Sequence, residues 1–442
     1  MKTLARPVAR CFPVPAADPV QHAAARDRLY MATGVAAAYS ALSETQENPA
    51  MHREPHLTQS TNAALMARRQ IAVPRGVGQA HEIFVARARN AEVWDVQGRR
   101  YIDFAGGIAV LNTGHCHPEV IAAVKAQLDH YTHTCFQVLA YEPYVELAER
   151  LNAIAPGAFA KKTLFLSTGA EAIENAVKIA RAFTGRPGVI AFSGGYHGRT
   201  MMTLGLTGKV APYKTGFGPF PTEVFHALFP NELRGIGVAD ALQSVEMLFK
   251  NDIEAKRVAA FILEPVQGEG GFLVAPPAFV QGLKEIADRH GILIIADEVQ
   301  TGAGRCGTWF ASEQWPAAPD LIATAKSMGG GFPISGVVGR ADVMDAPAPG
   351  GLGGTYAGSP VGCAAALAVL KVFEEFAYQA EIREGDNEML RFKARVGDRE
   401  VDGVDIVKYV DGLVTELTVM IRPLSALHAV RDAMAAQLEV GR

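Results

Sequence analysis

The middle of the chain alternates short, continuously apolar runs with longer segments in which apolar residues recur at helical spacing. The apolar runs predict strands at residues 189–192, 258–263 and 292–296, and the helical spacing predicts helices at 171–183 and 278–290. Strands that alternate with helices indicate an α/β fold, in which a mostly parallel central sheet carries helices on both faces. Burial of both faces explains why these strands are apolar at every position.

Polar residues stand where the predicted strands end. Asp297 and Glu264 each close one strand, and residues 193–196 follow a third. Ligands of parallel sheets collect beyond the carboxyl ends of the strands, so we expect these residues to line a binding site. Asp297 taken alone is equally explained as a cap of the loop that follows it.

A lysine and a strand-to-helix turn narrow the chemistry. Lys326 lies between the apolar residues 321–325 and the glycines 329–331; burial would lower its pKa and make the amine a nucleophile, although a surface lysine with a buried stem fits the same pattern. The turn at 167–170, STGA, opens a helix whose free amides would attract an anion, as those of any capped helix would. A lysine, an anion site and a carboxylate for a ring nitrogen form the set that pyridoxal phosphate requires.

Composition excludes several other classes. The 442 residues, 49% hydrophobic, are enough for about two or three domains. A net charge of −4 gives no excess of positive charge for nucleic acid, and no apolar run approaches the ~20 residues of a membrane span. The N-terminal residues 1–20 contain arginines and only one acid, a weak sign of a transit peptide that their prolines oppose.

Cysteine usage favours a reducing, cytoplasmic location. The five cysteines are scattered, without the close pairs of a disulfide scaffold or a zinc site: Cys11, Cys116, Cys135, Cys306 and Cys363. The adjacent His115, Cys116 and His117 point different ways on one loop, so we expect no metal there.

Nine motifs between about residues 66 and 376 resemble those of the class III (subgroup II) aminotransferases, and within them the 4-aminobutyrate branch. They are RRQIAVPRGVGQ, FAGGIAVLNTGHCHP, HTCFQVLAYEPY, STGAEAIENAVKIAR, FSGGYHGRT, LEPVQGEGGF, ADEVQTGAGR, AKSMGGGFP and GGLGGTYAGSP. The resemblance implies a pyridoxal-phosphate-dependent transferase of fold type I, with pyridoxal 5'-phosphate as cofactor. It also implies a homodimer in which two chains build each site.

The resemblance assigns five residues to the cofactor ring. Lys326 would bond the cofactor and later move the proton as a base, and Asp297 would keep the ring nitrogen protonated. Gln300 would bond the phenolic oxygen, while Val299 and Tyr196 would pack on opposite ring faces.

The resemblance also assigns residues to the cofactor phosphate and to the substrate. Gly169 and Ala170 would donate their amides to the phosphate, and Thr355 would reach it from the second subunit. The remaining four residues would bind substrate: Ile108, Arg199, Glu264 and Glu269. Arg199 would bind the distal carboxylate of an ω-amino acid, for which an arginine has suitable bidentate geometry.

The implied reaction moves the amino group of 4-aminobutyrate to 2-oxoglutarate, giving succinate semialdehyde and L-glutamate by a ping-pong route through pyridoxamine phosphate. The substrates are thus a small amino acid and a 2-oxo acid. Relatives that act on 5-aminovalerate, ornithine or acetylornithine share most cofactor motifs, and discrimination by one methylene is worth only ~1–3 kcal/mol. A third alternative is a cofactor-binding remnant without turnover.

Both ends of the chain depart from the family. Residues 1–60 look like an extension, with a possible helix broken at Gly34; we expect 61–110 to begin a small domain and 111–376 to form the large cofactor-binding domain. Residues 377–442 are atypical, so the small domain would be truncated or replaced.

The tail predicts alternating strands, a turn at Asp411-Gly412 and a final helix from about Leu424, which loosely resembles the closing part of polyketide-cyclase-type domains. In the family, a second arginine from this region binds the α-carboxylate of 2-oxoglutarate, and Glu269 screens it. No arginine of the tail inherits that role: Arg391, Arg395 and Arg422 are unassigned.

Overall fold

The computed structural model describes residues 60–375, 377–385, 387–396, 399–410 and 413–422, together with residue 428. The helix expected around Gly34, the turn at Asp411-Gly412 and the final helix from Leu424 lie outside these residues. The chain divides into two compact units, Met1–Glu82 and Ile83–Arg442. The four-part division expected from the sequence stays a prediction.

The first unit contributes one described helix, α1 (Asn62–Ala72). Thr61 caps it, because its side chain accepts a hydrogen bond from the amide of Ala64 at 3.1 Å.

The second unit contains the remaining elements. Its α-helices are α2 (Gly106–Ala109), α3 (Pro118–His130), α4 (Glu142–Ile154), α5 (Gly169–Thr184), α6 (Met201–Leu206), α7 (Val238–Asn251), α8 (Pro277–His290), α9 (Ala341–Met344) and α10 (Pro360–Glu375). Its strands are β1 (Val85–Arg89), β2 (Glu92–Asp95), β3 (Arg100–Ile102), β4 (Lys161–Leu166), β5 (Gly188–Phe192), β6 (Val224–Ala227), β7 (Val258–Leu263), β8 (Val266–Gln267), β9 (Leu273–Val274), β10 (Leu293–Glu298), β11 (Leu321–Thr324), β12 (Ser335–Arg340), β13 (Ala377–Glu384), β14 (Asn387–Val396), β15 (Arg399–Val410) and β16 (Leu413–Arg422). Short 3₁₀ turns occupy Glu232–Arg234, Ala255–Arg257, Ala311–Gln314 and Lys326–Gly329.

Seven strands form the central sheet, in the order β4-β12-β11-β10-β7-β5-β6. Within it, β12 pairs antiparallel with both of its neighbours, while the other pairings are parallel. The mostly parallel sheet predicted from the sequence is confirmed. Because the parallel strands share a direction, the carboxyl ends of β4, β5, β7, β10 and β11 meet at one edge.

Helices cover both faces of this sheet, as predicted. Along β10, Ile295 packs into the core under α5, whereas the next residue back, Ile294, packs into the core under α8. Alternate side chains of one strand therefore enter different cores, and both must be apolar.

The boundaries of α5 follow from its end residues. Thr168 and Glu171 form a reciprocal capping box at its start, and Gly185 takes a left-handed conformation (φ 67°) just past its end. The predicted helix 171–183 is thus confirmed and extended by the residues of its first turn.

The tail strands β13 to β16 form a separate antiparallel sheet in chain order. The alternating strands predicted there are confirmed, and Val410 pairs with Leu413 across the expected turn. Arg391 on β14 is exposed and forms an ion pair with Asp402 of β15 at 3.0 Å.

Candidate active site

A cavity of ≈ 550 Å³ opens at the edge where the parallel strands end. All but one of the site residues predicted from the sequence line it: Ile108, Gly169, Ala170, Tyr196, Arg199, Glu264, Glu269, Asp297, Val299, Gln300 and Lys326. Their side chains come from loops that follow β4, β5, β7, β10 and β11, together with the Gly106–Ala109 turn. The rule that ligands collect at carboxyl ends therefore located the cavity correctly.

Lys326 enters the cavity directly after β11, with a left-handed backbone (φ 44°). Burial lowers the pKa of its amine, although the nearby charges of Asp297 and Glu264 act in the opposite direction. The amine lies in a partly buried cavity wall rather than on an open surface, as nucleophilic chemistry requires.

Asp297 is 3% exposed at the end of β10. Its Oδ2 lies 2.6 Å from His197 Nδ1, and its Oδ1 accepts the amide of Val299 at 3.1 Å. The carboxylate thus does cap the loop, as one interpretation of the sequence held, and it also lines the cavity. A carboxylate oxygen has two lone pairs, so these bonds leave acceptor capacity for a ligand.

His197 is a site residue that the sequence analysis missed. It is buried at 4% exposure, and among the described residues its Nε2 has no hydrogen-bond partner. Burial lowers the pKa of its imidazole, but the hydrogen bond to Asp297 and the charges of Asp297 and Glu264 raise that pKa more. Its position in the motif FSGGYHGRT, beside Tyr196, was the available signal.

The turn at Gly169 and Ala170 presents backbone amides that could bind an anion. The amide of Glu171 bonds Thr168 Oγ1, and the amide of Thr168 bonds the Glu171 carboxylate at 2.8 Å. In the described part of the chain, the amides of Gly169 and Ala170 have no acceptor, and they lie at the positive end of a 16-residue helix. A Cβ on Gly169 would lie 2.8 Å from the Val299 side chain, so only glycine permits this approach.

Glu264 holds the backbone around the cavity. Its Oε1 accepts the amide of Tyr196 at 2.8 Å, and its Oε2 accepts the amide of Gly268 at 3.1 Å. Burial, with a contribution from Asp297, raises the pKa of its carboxyl to about 7. Both of its oxygens are therefore already used to position loops, which the sequence did not predict.

Tyr213 is a second cavity residue that the sequence analysis missed, and it lies beside Arg199 and Glu269. Arg199 donates from Nε to Tyr196 Oη at 3.3 Å, and its guanidinium lies 5.3 Å from the ring centre of Tyr213. The Tyr213 hydroxyl donates to Glu269 Oε2 at 2.7 Å. Nothing in the segment around Tyr213 distinguishes it from an ordinary loop tyrosine.

Two predicted residues have special positions. Thr355 is exposed and does not line the cavity of this chain, so its role from a second subunit stays a prediction. Ile108 lines the cavity at 68% exposure with a left-handed backbone (φ 63°), which is rare for a β-branched residue.

The residues present fit pyridoxal phosphate. One cavity holds an amine of lowered pKa, a buried carboxylate, and a turn whose first two helical amides have no acceptor among the described residues. Gln300 and Val299 line the same cavity and could contact the ring.

Other features of the chain bear on ligands and membranes. Across the described residues, no three side chains of His, Cys, Asp or Glu form a group that could hold a metal ion. His115 instead lies 2.8 Å from Asp103. No helix in the described segments is long and apolar enough to cross a membrane.

Comparison with known proteins shows similarity to aminotransferases. The family model described as aminotransferase class-III matches residues 72–404, which reaches into the tail sheet. The 5-aminovalerate aminotransferase DavT of Pseudomonas putida is 68% identical over 315 residues, covering 71% of this chain and 74% of that protein. The 4-aminobutyrate aminotransferase GabT of Escherichia coli is 64% identical over 316 residues, covering 72% and 74%.

Solved structures show the same fold. The ornithine aminotransferase of Toxoplasma gondii has a TM-score of 0.65 at 26% identity, over 78% of this chain and 85% of that one. An (S)-enantioselective omega-transaminase of Thermomicrobium roseum has a TM-score of 0.65 at 30% identity, over 75% and 84%. The expected fold of pyridoxal-phosphate-dependent transferases is confirmed.

Proposed function

This chain belongs to the class III aminotransferase family, and we propose that it transfers the amino group of 4-aminobutyrate to 2-oxoglutarate, giving succinate semialdehyde and L-glutamate. As a member of the family it is a pyridoxal-phosphate-dependent aminotransferase, whose substrates are an amino acid and an oxo acid. The named substrate pair is the proposal.

Pyridoxal phosphate supplies a reactive carbonyl and an electron-withdrawing ring. In the proposal, Lys326 would take the proton from the amine-bearing carbon of the bound amino acid and return it to the carbonyl carbon that the cofactor supplies, since its lowered pKa favours the neutral amine. Asp297 keeps a proton on the ring nitrogen, and His197 orients that carboxylate. The amides of Gly169 and Ala170 bind the phosphate.

The observation that carries the proposal is the guanidinium of Arg199. It lines the cavity that Lys326 enters, and in the described chain it makes no ion pair within 4.0 Å. An amino acid whose carboxylate is far from its reacting amine would place that carboxylate on Arg199 and the amine near Lys326. This arrangement supports an ω-amino acid as donor.

One methylene separates the two leading donors. The DavT relative is named for 5-aminovalerate, and its identity is slightly higher than that of the relative named for 4-aminobutyrate, 68% against 64%. We therefore keep 5-aminovalerate as the second candidate, and expect both to react because one methylene changes binding by only ~1–3 kcal/mol. Ornithine and acetylornithine are weaker candidates.

The second half-reaction depends on the tail. 2-Oxoglutarate has an α-carboxylate that needs another cation, and Arg391 in the tail is already paired with Asp402. A chain that binds the cofactor without completing turnover is therefore the third candidate. We also infer that the chain works as a cytoplasmic homodimer, with Thr355 reaching the phosphate of the partner subunit.

An absorbance spectrum of the cofactor-loaded protein separates these candidates. 4-Aminobutyrate added without an oxo acid should remove the visible band of the lysine-bound cofactor, and 2-oxoglutarate should then restore it. A band that only 5-aminovalerate removes would favour the second candidate. A band that neither amino acid changes would contradict the proposed function, and sedimentation of the same sample tests the dimer.

A further inference from the structure

Tyr213 lies in the loop between α6 and β6, and its side chain contacts two other segments of the cavity wall. Its hydroxyl donates to Glu269 at 2.7 Å, its ring lies 4.9 Å from the ring of Tyr196, and the guanidinium of Arg199 faces it at 5.3 Å. The three contacted residues come from the loop after β5 and from the turn between β8 and β9. No other described side chain links these two segments of the cavity wall by a hydrogen bond to Glu269.

Glu269 and Arg199, which both contact Tyr213, carry opposite charges but form no ion pair in the described chain. Glu269 and Arg199 are close enough for the carboxylate to raise the pKa of the guanidinium, after the larger effect of the hydrogen bond to Tyr196. Yet the two form no ion pair within 4.0 Å in the described chain. The ring of Tyr213 faces Arg199, while its hydroxyl bonds the Glu269 carboxylate.

The Tyr213 hydroxyl can donate a hydrogen bond throughout the neutral pH range. Burial, together with the hydrogen bond to Glu269, raises the pKa of Tyr213 to about 12, so the phenol stays protonated at neutral pH. A hydrogen bond to an ionised carboxylate is stronger than one between neutral groups. The bond therefore competes with the attraction that would draw Glu269 to Arg199.

We propose that Tyr213 is a specificity-determining residue, which holds Glu269 off Arg199 and so keeps the guanidinium available for the carboxylate of an ω-amino acid. This inference rests on the proposed role of Arg199 and adds to it the residue that keeps Arg199 free. Without the hydroxyl, Glu269 would be free to pair with Arg199 and occupy the place of the substrate carboxylate.

Removal of the Tyr213 hydroxyl should weaken binding of a ligand carboxylate. Removal of the Glu269 charge in the same chain should restore that binding. Butyrate, which has the carboxylate and chain of 4-aminobutyrate without its amine, is the probe, and calorimetric titration of the cofactor-loaded protein measures its Kd. In Tyr213→Phe the Kd should rise about tenfold, the scale of one charge-assisted hydrogen bond. Glu269→Gln alone should change it less than about threefold, because an amide cannot pair with Arg199 as an anion does.

The double variant Tyr213→Phe/Glu269→Gln decides the matter. Return of the Kd to near the parent value supports the proposal, since a merely structural role of the hydroxyl would not be rescued by removal of the Glu269 charge. A double variant as weak as Tyr213→Phe overturns it, as does a Tyr213→Phe that binds like the parent, or a parent that binds no butyrate. Tyr101→Phe, which removes a hydroxyl 3.0 Å from Asp95 outside the cavity, is the matched control.

Failure of the proposed function is distinguishable from failure of this inference. If the parent binds butyrate and the rescue occurs, but no ω-amino acid is turned over, the proposed reaction is wrong and the role of Tyr213 stands. With turnover, the KM for 4-aminobutyrate should follow the butyrate Kd across the variants, with kcat changed less than about threefold.

Discussion

His197 Nδ1 lies 2.6 Å from Asp297 Oδ2, and both side chains are almost fully buried. A carboxylate buried among apolar strands is costly unless it is paired, and this bond supplies the partner. It also fixes the direction in which Asp297 presents its free lone pairs.

Replacement of His197 tests whether this bond orients Asp297. His197→Ala should raise the Kd for pyridoxal phosphate at least about tenfold, because it leaves a buried carboxylate without its strongest partner. His197→Asn can place an amide nitrogen near the position of Nδ1 and should stay within about threefold of the parent. Fluorescence titration with the cofactor gives both values, and equal losses in the two variants would show that the hydrogen bond is not what matters.

Lys326→Ala should abolish the visible band of the lysine-bound cofactor and reduce turnover by at least about 10³-fold, since both bonding and proton transfer depend on that amine. Absorbance and a turnover assay measure the two effects. Lys214→Ala is a close control, because burial also lowers the pKa of Lys214, whose amine bonds the Gly205 carbonyl outside the cavity. A band that survives in Lys326→Ala would refute the assignment.

The raised pKa of Glu264 makes stability depend on pH. Burial lifts it from 4.5 to about 7, so the folded chain holds this proton more tightly than the unfolded chain. The resulting stabilisation is fully present below pH 4.5 and is lost as pH rises through about 7. The raised pKa of His197 acts in the same direction.

Thermal unfolding of the cofactor-free chain between pH 4.5 and 7.5 measures this effect, with that range taken from the pKa shift of Glu264. Glu264→Gln should lower Tm overall, because one of the two amides loses its acceptor, and should make Tm depend less on pH. An unchanged slope in the variant would mean that Glu264 is not the group responsible.

Gly169→Ala should separate helix stability from cofactor binding. Alanine at the first turn of α5 favours the helix by up to ~1 kcal/mol, but its Cβ would meet Val299 at 2.8 Å and displace that side chain from the ring position. We expect the Kd for the cofactor to rise about tenfold. Gly76→Ala, where an added Cβ meets nothing within 4 Å, should leave the Kd unchanged. Equal affinities in both variants would contradict the packing of Val299.

Ile108 tests backbone strain at the cavity mouth. A left-handed conformation costs a residue with a Cβ roughly 1–2 kcal/mol, and glycine adopts it freely. Since Ile108 is 68% exposed, its side chain contributes little buried area. Ile108→Gly should therefore be more stable than Ile108→Ala by about 1 kcal/mol in urea unfolding. The reverse order would exclude strain at this position.

The sequence predicted the sheet and its helices because their apolar periodicity is local. It placed the end of β10 too early, since Asp297 and Glu298 lie inside the strand. Glu298 is buried there because it accepts hydrogen bonds from Thr301, Ala311 and Ser312, the last two 13 and 14 residues further along the chain. Partners at that separation leave no periodic signal.

The site was predictable where one motif carries one role, and less so where roles depend on pairs. Asp297 lies near the carboxyl end of β10 and Lys326 just past that of β11, so their positions could be inferred from the pattern of the chain. His197 is recognisable only once Asp297 is known to lie beside it, 100 residues away. Tyr213 is likewise defined by Glu269, 56 residues distant.

The antiparallel strand β12 has a consequence for the order of folding. Because β11 and β12 run in opposite directions, they pair as a hairpin, and Lys326 lies in the connection of residues 325–334. The parallel strands of the sheet can pair only after long crossover connections have formed, whereas the short connection between β11 and β12 closes at small entropic cost. The lysine should therefore gain its native backbone from a local event, which pulse-labelling of amide hydrogens in β11 and β12 during refolding would detect.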